Sequence, residues 1–153
     1  MQGFTLLELI IILLLVSLLA TTAASRFFRA DELTARAQRD ALLQLSRQLQ
    51  QRSMQDVAGL TSTCPVLLIS SSHAGLVNHC GNTPQLVADP ANPAQVQWGS
   101  NQLQSSQGLP LALRFDRLGR PTGVCSSGCT FTVVQAAGSY SLCIGGSGYV
   151  RAC

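Results

Sequence analysis

A chain of 153 residues is long enough for one modest globular domain and one further segment. Its formal net charge of +3 is too small to predict a nucleic-acid partner by itself. Beyond residue 60 the carboxylates are Asp89 and Asp116, and no Ser/His/Asp set stands out, which argues against a calcium site and against hydrolysis. We therefore predict a protein that is not an enzyme, with no catalytic residues, no metal and no cofactor.

The chain starts with an apolar segment that contains one charged side chain, Glu8. Residues 4–24 would form a helix about 31 Å long, which is the thickness of the hydrocarbon core of a bilayer. We predict a transmembrane helix here. A carboxylate near the centre of such a helix costs roughly 2.5–3.5 kcal/mol, so Glu8 needs a specific role.

Residues 25–57 contain no Gly and no Pro and are rich in Ala, Leu, Gln and Arg, which favour helix. Apolar residues recur at helical spacing in this segment and predict an amphipathic half of the same helix, ending near Gly59. Gln38 is a polar residue four positions before Leu42, where an apolar residue would have widened the apolar stripe. The stripe consists of Leu33, Ala37, Ala41, Leu45 and Leu49, with Leu42 beside it.

Residues 58–153 have a sequence pattern that predicts a small β domain. Short apolar or alternating runs predict strands, and Gly, Pro, Ser and Asn clusters separate them. Gly119 is expected to take a positive φ in a hairpin connection over residues 115–123, and Trp98 is expected to pack on the helical stripe. Residues 70–101 show few strand signals, and a loop of this length is expected either to carry function or to contain a further strand; His73 is placed in a surface loop. The predicted strands are CPVLLIS, AQVQWGS, LPLALRFD, CTFTVVQ, SYSLCI and YVRAC.

All six cysteines lie in this domain, which predicts disulfides formed in an oxidising compartment. No zinc-ligand spacing is present. Cys125 and Cys129 flank a tight turn, Cys64 and Cys80 would close a loop, and Cys143 and Cys153 would then fix the C-terminus. Six cysteines allow 15 connectivities, so these pairings stay predictions. A simple hairpin turning at 146–147 would place Cys143 opposite Val150.

Two common explanations of the N-terminus are a signal anchor and a cleaved secretory signal. The second fits poorly, because no basic residue precedes the apolar run. Positive-inside counting of the arginines after the run would place the β domain in the cytoplasm, which conflicts with the disulfides. These arginines are Arg26, Arg29, Arg36 and Arg39.

A third explanation starts from Gly3-Phe4-Thr5-Leu6-Leu7-Glu8, which resembles the processing site of type IV prepilins. The resemblance implies a leader of residues 1–3, cleavage between Gly3 and Phe4 by a prepilin peptidase, and N-methylation of Phe4. It also implies an assembly role in which Glu8 pairs with the α-amino group of Phe4 on a neighbouring subunit. The implied fold class is α+β: a pilin-like fold with the long N-terminal helix packed on an antiparallel sheet domain.

The C-terminal domain resembles two kinds of minor subunit. Residues 113–123 are similar to a hairpin of the H-type pseudopilins and FimT-like minor pilins. Residues 141–153 are similar to the end of the C-type minor pilin of the mannose-sensitive haemagglutinin (MSHA) pilus. This implies an MSHA-like minor pilin in pilus assembly, initiation and adhesion; the alternatives are a minor pseudopilin of type II secretion and a DNA-capturing minor pilin. DNA contact would fall on Arg114, Arg117 and Arg120, although surface arginines that maintain solubility are the favoured explanation.

The resemblance also implies partners and a location. The expected partners are other pilin subunits, both major and minor, the prepilin peptidase, the inner-membrane assembly platform and the lipid bilayer, with DNA not expected. The protein would cross the inner membrane of a Gram-negative bacterium once, with the β domain in the periplasm. It would then enter a pilus or pseudopilus at the cell surface.

Overall fold

The computed structural model describes residues 6–55, 64–78, 85–86, 88–89, 91–92, 94–135 and 138–153, without the side chains of residues 21–31. One helix, α1 (Leu6–Gln55), contains 50 residues and is about 75 Å long. The two predicted helical segments are therefore one continuous rod, with Ser25 inside it. Gly59, where we expected the helix to end, lies outside the described residues.

The described head contains nine strands and one short 3-10 turn at Gly123–Cys125. The strands are β1 (Pro65–Ile69), β2 (His73–Asn78), β3 (Gln95–Gln97), β4 (Gln102–Ser105), β5 (Leu111–Phe115), β6 (Pro121–Thr122), β7 (Gly128–Gln135), β8 (Gly138–Gly145) and β9 (Val150–Ala152). They form a first sheet of order β3-β2-β1-β5-β6 and a second sheet of order β4-β7-β8-β9. All neighbouring strands are antiparallel, so the fold class is α+β as predicted.

The second half of α1 lies across both sheets and completes one hydrophobic core. Leu42 and Leu49 are almost fully buried, and Trp98 belongs to the same core cluster at 1% exposure. Alternate residues of β5 and β7 face this core, as their sequence patterns predict. Leu33, at the upper end of the predicted stripe, is instead 66% exposed. Ala37 of that stripe is exposed as well, whereas Ala35, outside the stripe, is fully buried, so the buried face of the helix is rotated from the predicted one.

Three strands were not predicted. β2 contains a glycine and begins and ends with a polar residue, β4 has one apolar residue in four positions, and β6 is two residues long. Assigning His73 to a surface loop was wrong, because it begins β2 and is half-buried. Gly75 follows in the same strand, and a Cβ there would come within 2.8 Å of the Gln95 side chain and 3.1 Å of Leu86. Close packing of the chain over this strand explains a glycine in a position where a strand normally places a larger residue.

The described part of the chain contains no helical stretch that is both long and apolar enough to cross a bilayer. The predicted span, residues 4–24, extends beyond the described side chains at both ends.

Candidate functional site

The N-terminal half of α1 stands apart from the head. Every aliphatic side chain from Leu6 to Leu19 that the structure describes is large and exposed, with exposures between 44% and 76%. Ser17 satisfies its hydroxyl within the helix by donating to the Leu14 carbonyl at 2.8 Å. A helix that is apolar on all sides is stable only when lipid or other protein surrounds it. This surface is therefore the first candidate interaction site.

Glu8 is the one charged residue among the described side chains of this half, residues 6–20. It lies near the N-terminal end of the described part of the helix. Gly3 and Phe4, the predicted cleavage and methylation residues, lie outside the described residues. The structure thus places the carboxylate in an apolar exposed surface, and its pairing with the amine of Phe4 stays a prediction.

Gln38 fixes the upper part of the docked helix to the head, a role that the sequence analysis missed. Its side-chain amide donates to the carbonyls of Gln97 at 2.8 Å and Trp98 at 3.1 Å. Its own side-chain oxygen accepts from the Asn101 side chain at 2.7 Å. Gln38 therefore supplies hydrogen bonds to polar groups in and beside the turn between β3 and β4. This turn links the two sheets. The Trp98 indole donates in addition to the Ser70 carbonyl at 3.0 Å.

Gln50 has the corresponding role near the end of the helix. Its amide nitrogen donates to the carbonyls of Gly119 and Gly148, each at 2.7 Å. Gly119 belongs to the β5–β6 turn of the first sheet, and Gly148 belongs to the β8–β9 turn of the second. Both have positive φ, at 76° and 92°. One helical side chain therefore joins a turn from each sheet, and the two turns touch each other beside it.

The head contains disulfides at the predicted cysteines. Cys125 is joined to Cys129 and Cys143 to Cys153, with Cα separations of 5.2 and 5.8 Å. Cys64 is also disulfide-bonded, and Cys80, its predicted partner, lies outside the described residues. The expected register of the last hairpin was wrong by one residue. Cys143 pairs with Arg151 because Ile144 pairs with Val150, and Cys153, which directly follows β9, lies two residues beyond Arg151 on the same side of the chain.

The arginines proposed for DNA contact do not form one uniform patch. Arg114 and Arg117 line one shallow hollow. Asp116, a residue of opposite charge, lines the same hollow. Arg120 forms an ion pair with Asp116, with 2.9 Å between the guanidinium Nε and the carboxylate Oδ2. Part of the positive charge of this turn is therefore neutralised locally.

Asp116 organises the β5–β6 turn. Its Oδ1 accepts the backbone N–H groups of Arg120 at 2.8 Å and Leu118 at 2.9 Å. The Arg120 backbone bond is the largest of the causes that hold the pKa of the Asp116 carboxyl below its ordinary value of 3.8. A carboxyl with a lowered pKa in the folded state stabilises the turn above pH 3.8, and this contribution is lost as the pH falls through the folded-state pKa.

We expect acid to loosen this turn. In the full chain, the amide protons of Leu118 and Arg120 should exchange faster below pH 3.8 than at pH 6, after correction for intrinsic exchange. In Asp116→Asn this additional acid dependence should disappear, because the amide oxygen still accepts but no longer titrates. Asp89→Asn is the matched control, since it removes a carboxyl elsewhere in the head. A pH dependence that persisted in Asp116→Asn would contradict this role.

Within the described ranges, no three His, Cys, Asp or Glu residues are placed to hold a metal ion. His73 is held in the fold by its neighbours: Nδ1 lies 2.8 Å from the Ser72 hydroxyl and Nε2 lies 3.2 Å from the Leu86 carbonyl. These bonds give the imidazole a structural environment at the start of β2.

The architecture matches a known fold. A solved structure of the type IV minor pilin FimU from Pseudomonas aeruginosa strain PAO1 superposes with a TM-score of 0.55 at 10% sequence identity, covering 76% of this chain and 90% of that chain. The chain therefore has a pilin fold, with its helix packed on antiparallel sheets. No protein-family model and no curated protein matches the chain by sequence.

Proposed function

We propose that this chain is a minor pilin, a structural subunit that joins other pilin subunits in a type IV pilus-like filament. One observation carries the proposal: a continuous helix of 50 residues begins with a stretch, residues 6–20, whose aliphatic side chains are all exposed, and its second half packs in the core of a β head. The fold of FimU supports it. The exposed stretch requires an apolar environment, which lipid supplies before assembly and neighbouring helices supply in a filament.

We also propose how the subunit is processed, inserted in the membrane and transferred to the filament. The prepilin peptidase removes residues 1–3, Phe4 is methylated, and residues 4–24 hold the subunit in the inner membrane with its head in the periplasm. The assembly platform then transfers it to the filament. Support comes from the sequence around the cleavage site and from the disulfides, which form in oxidising compartments.

Among minor pilins, we assign the chain to the MSHA-like kind, with a role in initiation and adhesion. This rests on the C-terminal disulfide between Cys143 and Cys153 and on the hairpin that it closes. A minor pseudopilin of type II secretion has the same requirements for the helix, and the genes that flank this one would separate the two. DNA capture is the less favoured alternative, because the Arg120 charge is paired with Asp116 in the described head.

The first test is the N-terminus of the membrane-bound protein. Mass analysis should show a chain that starts at Phe4 and carries one added methyl group. In cells without prepilin peptidase, and in a Gly3→Val variant, the chain should start at Met1, because the residue before the cut needs to pass without a side chain. An intact Met1 in cells with the active peptidase would refute the proposal.

A further inference from the structure

The outer face of the second sheet is unusual in its chemistry. Residues that point away from the core on β4, β7 and β8 are mostly hydroxyls and amides, with Val134 and the disulfide-bonded Cys143 as exceptions, and Arg151 on β9 is the formal charge among the described residues of this face. Thr132 and Ser141 face each other across β7 and β8 with 2.9 Å between their hydroxyl oxygens. The other polar members are Gln102, Gln104, Thr130 and Ser139.

At the β9 end this face opens into a hollow of about 410 Å³. Ligand sites in proteins have volumes of roughly 300–1,000 Å³, so the hollow is large enough for a small ligand. Hydroxyl groups surround it, from Ser106, Ser127, Thr130 and Ser147. The Ser106 hydroxyl already accepts the Thr130 backbone N–H at 3.0 Å, whereas within the described structure Ser127 and Ser147 direct no hydroxyl to a protein partner.

Tyr149 lines this hollow and is 67% exposed. It also lines a second hollow, of about 470 Å³, which lies against the helix and is lined by Arg47. An aromatic ring exposed to this extent loses the benefit of burial, so it offers an apolar face to a ligand. Arg151 lines the first hollow as its one charged side chain, and no Asp or Glu is among its described lining residues.

We propose that this face binds an acidic glycan, with a sugar ring on Tyr149 and a sugar carboxylate on Arg151. The C–H face of a sugar ring packs on an aromatic face, and a guanidinium binds a carboxylate through two parallel hydrogen bonds. The ring hydroxyls bond to Ser127 and Ser147. The rest of the glycan continues over the Thr, Ser and Gln side chains of the outer face. The inference rests on the adhesive role proposed above and gives that role a ligand class.

The charges of the face favour a glycan over a nucleic acid. A nucleic-acid strand carries one phosphate per nucleotide, and its affinity comes from several basic side chains along its path. Here the path beyond Arg151 is uncharged. A uronic-acid glycan can place one carboxylate at Arg151 and its hydroxyls beside the Thr, Ser and Gln side chains. Each of its polar groups then has a hydrogen-bonding partner.

The test uses the full chain in detergent micelles and isothermal titration calorimetry. The probes are trigalacturonate, the neutral trisaccharide maltotriose and a thymidine oligonucleotide. At low salt, trigalacturonate should bind at least tenfold more tightly than maltotriose, and salt should reduce the difference because one ion pair supplies it. Failure of trigalacturonate to bind at millimolar concentration, or tighter competing binding of the oligonucleotide, would overturn the proposal.

The variants assign the roles. Arg151→Gln should remove the preference for the acidic trisaccharide, and Arg52→Gln, an exposed arginine outside both hollows, should leave it unchanged. Tyr149→Ala should weaken both trisaccharides at least tenfold, while Tyr149→Phe keeps the stacking face and should bind normally. Equal effects of Arg151→Gln and Arg52→Gln would overturn the assignment. Cleavage at Phe4 is measured separately, so loss of glycan binding in a correctly processed subunit refutes this inference alone.

Discussion

The Glu8→Ala subunit is expected to enter the membrane and lose its leader, yet to be excluded from filaments. In a filament core, the Phe4 amine of a neighbouring subunit would be left without the Glu8 carboxylate as its partner. Removing one member of a buried ion pair costs about 3–5 kcal/mol, which corresponds to a loss of at least about a hundredfold in subunit docking. The measurement is the amount of processed subunit in sheared filaments relative to the membrane pool.

Glu32→Ala is the matched control for this prediction. Glu32 lies on the same helix and forms an ion pair with Arg36, but the side chains are 40% and 54% exposed. Exposed pairs contribute little to stability, so this variant should assemble at the normal level. Glu8→Ala subunits at normal abundance in filaments would show that the carboxylate has no role in assembly, whatever the outcome of the processing test.

Gly148→Ala is expected to destabilise the head more than any other glycine-to-alanine change described here. Gly148 has φ of 92°, and a Cβ at this residue would lie 1.9 Å from the Gly119 carbonyl oxygen and 2.9 Å from the Gln50 amide. The left-handed backbone costs an alanine roughly 1–2 kcal/mol, and overpacking adds about 1–3 kcal/mol. We expect the free energy of unfolding to fall by about 2–5 kcal/mol, measured by urea denaturation with Trp98 fluorescence.

Two other glycines separate these causes. Gly108 also has a positive φ, of 81°, but no atom lies within 4 Å of a Cβ built there, so Gly108→Ala should show the backbone cost alone. Gly145 is in the same hairpin as Gly148 and would make ordinary contacts, so Gly145→Ala should have a small effect. If Gly148→Ala were no more destabilising than Gly108→Ala, the contact between the two turns would contribute nothing to stability.

The helix and the best strands could be predicted because their sequences repeat with the period of the structure. Leu111, Leu113 and Phe115 alternate along β5, and all three face the core. β4 has one apolar residue, Leu103, in its four positions, so it shows no period to detect. β2 was missed because Gly75 interrupts its sequence pattern. A glycine is needed there because Gln95 and Leu86 pack closely over it, and this contact cannot be predicted from the neighbouring sequence.

The docking site of the helix was harder to predict than the helix itself. Gln38 gave a signal, since a polar residue within an apolar row needs a buried partner, but its partners lie about 60 residues away. Gln50 gave none, because glutamines are common on the exposed face of this helix. The contact between Gly119 and Gly148 requires both sheets in place. Likewise, the register at Cys143 depends on the turn in which the Gly145 N–H bonds to the Tyr149 carbonyl.

The two glutamines have a mechanical consequence. Gln38 and Gln50 are 12 positions apart in α1, so they hold the helix to the head at two points separated by about 18 Å along its axis. A pull along the helix therefore loads both sets of hydrogen bonds in shear at the same time, instead of opening them one after another. Force that enters through the N-terminal half of the rod reaches both sheets together, and the head resists it as one body.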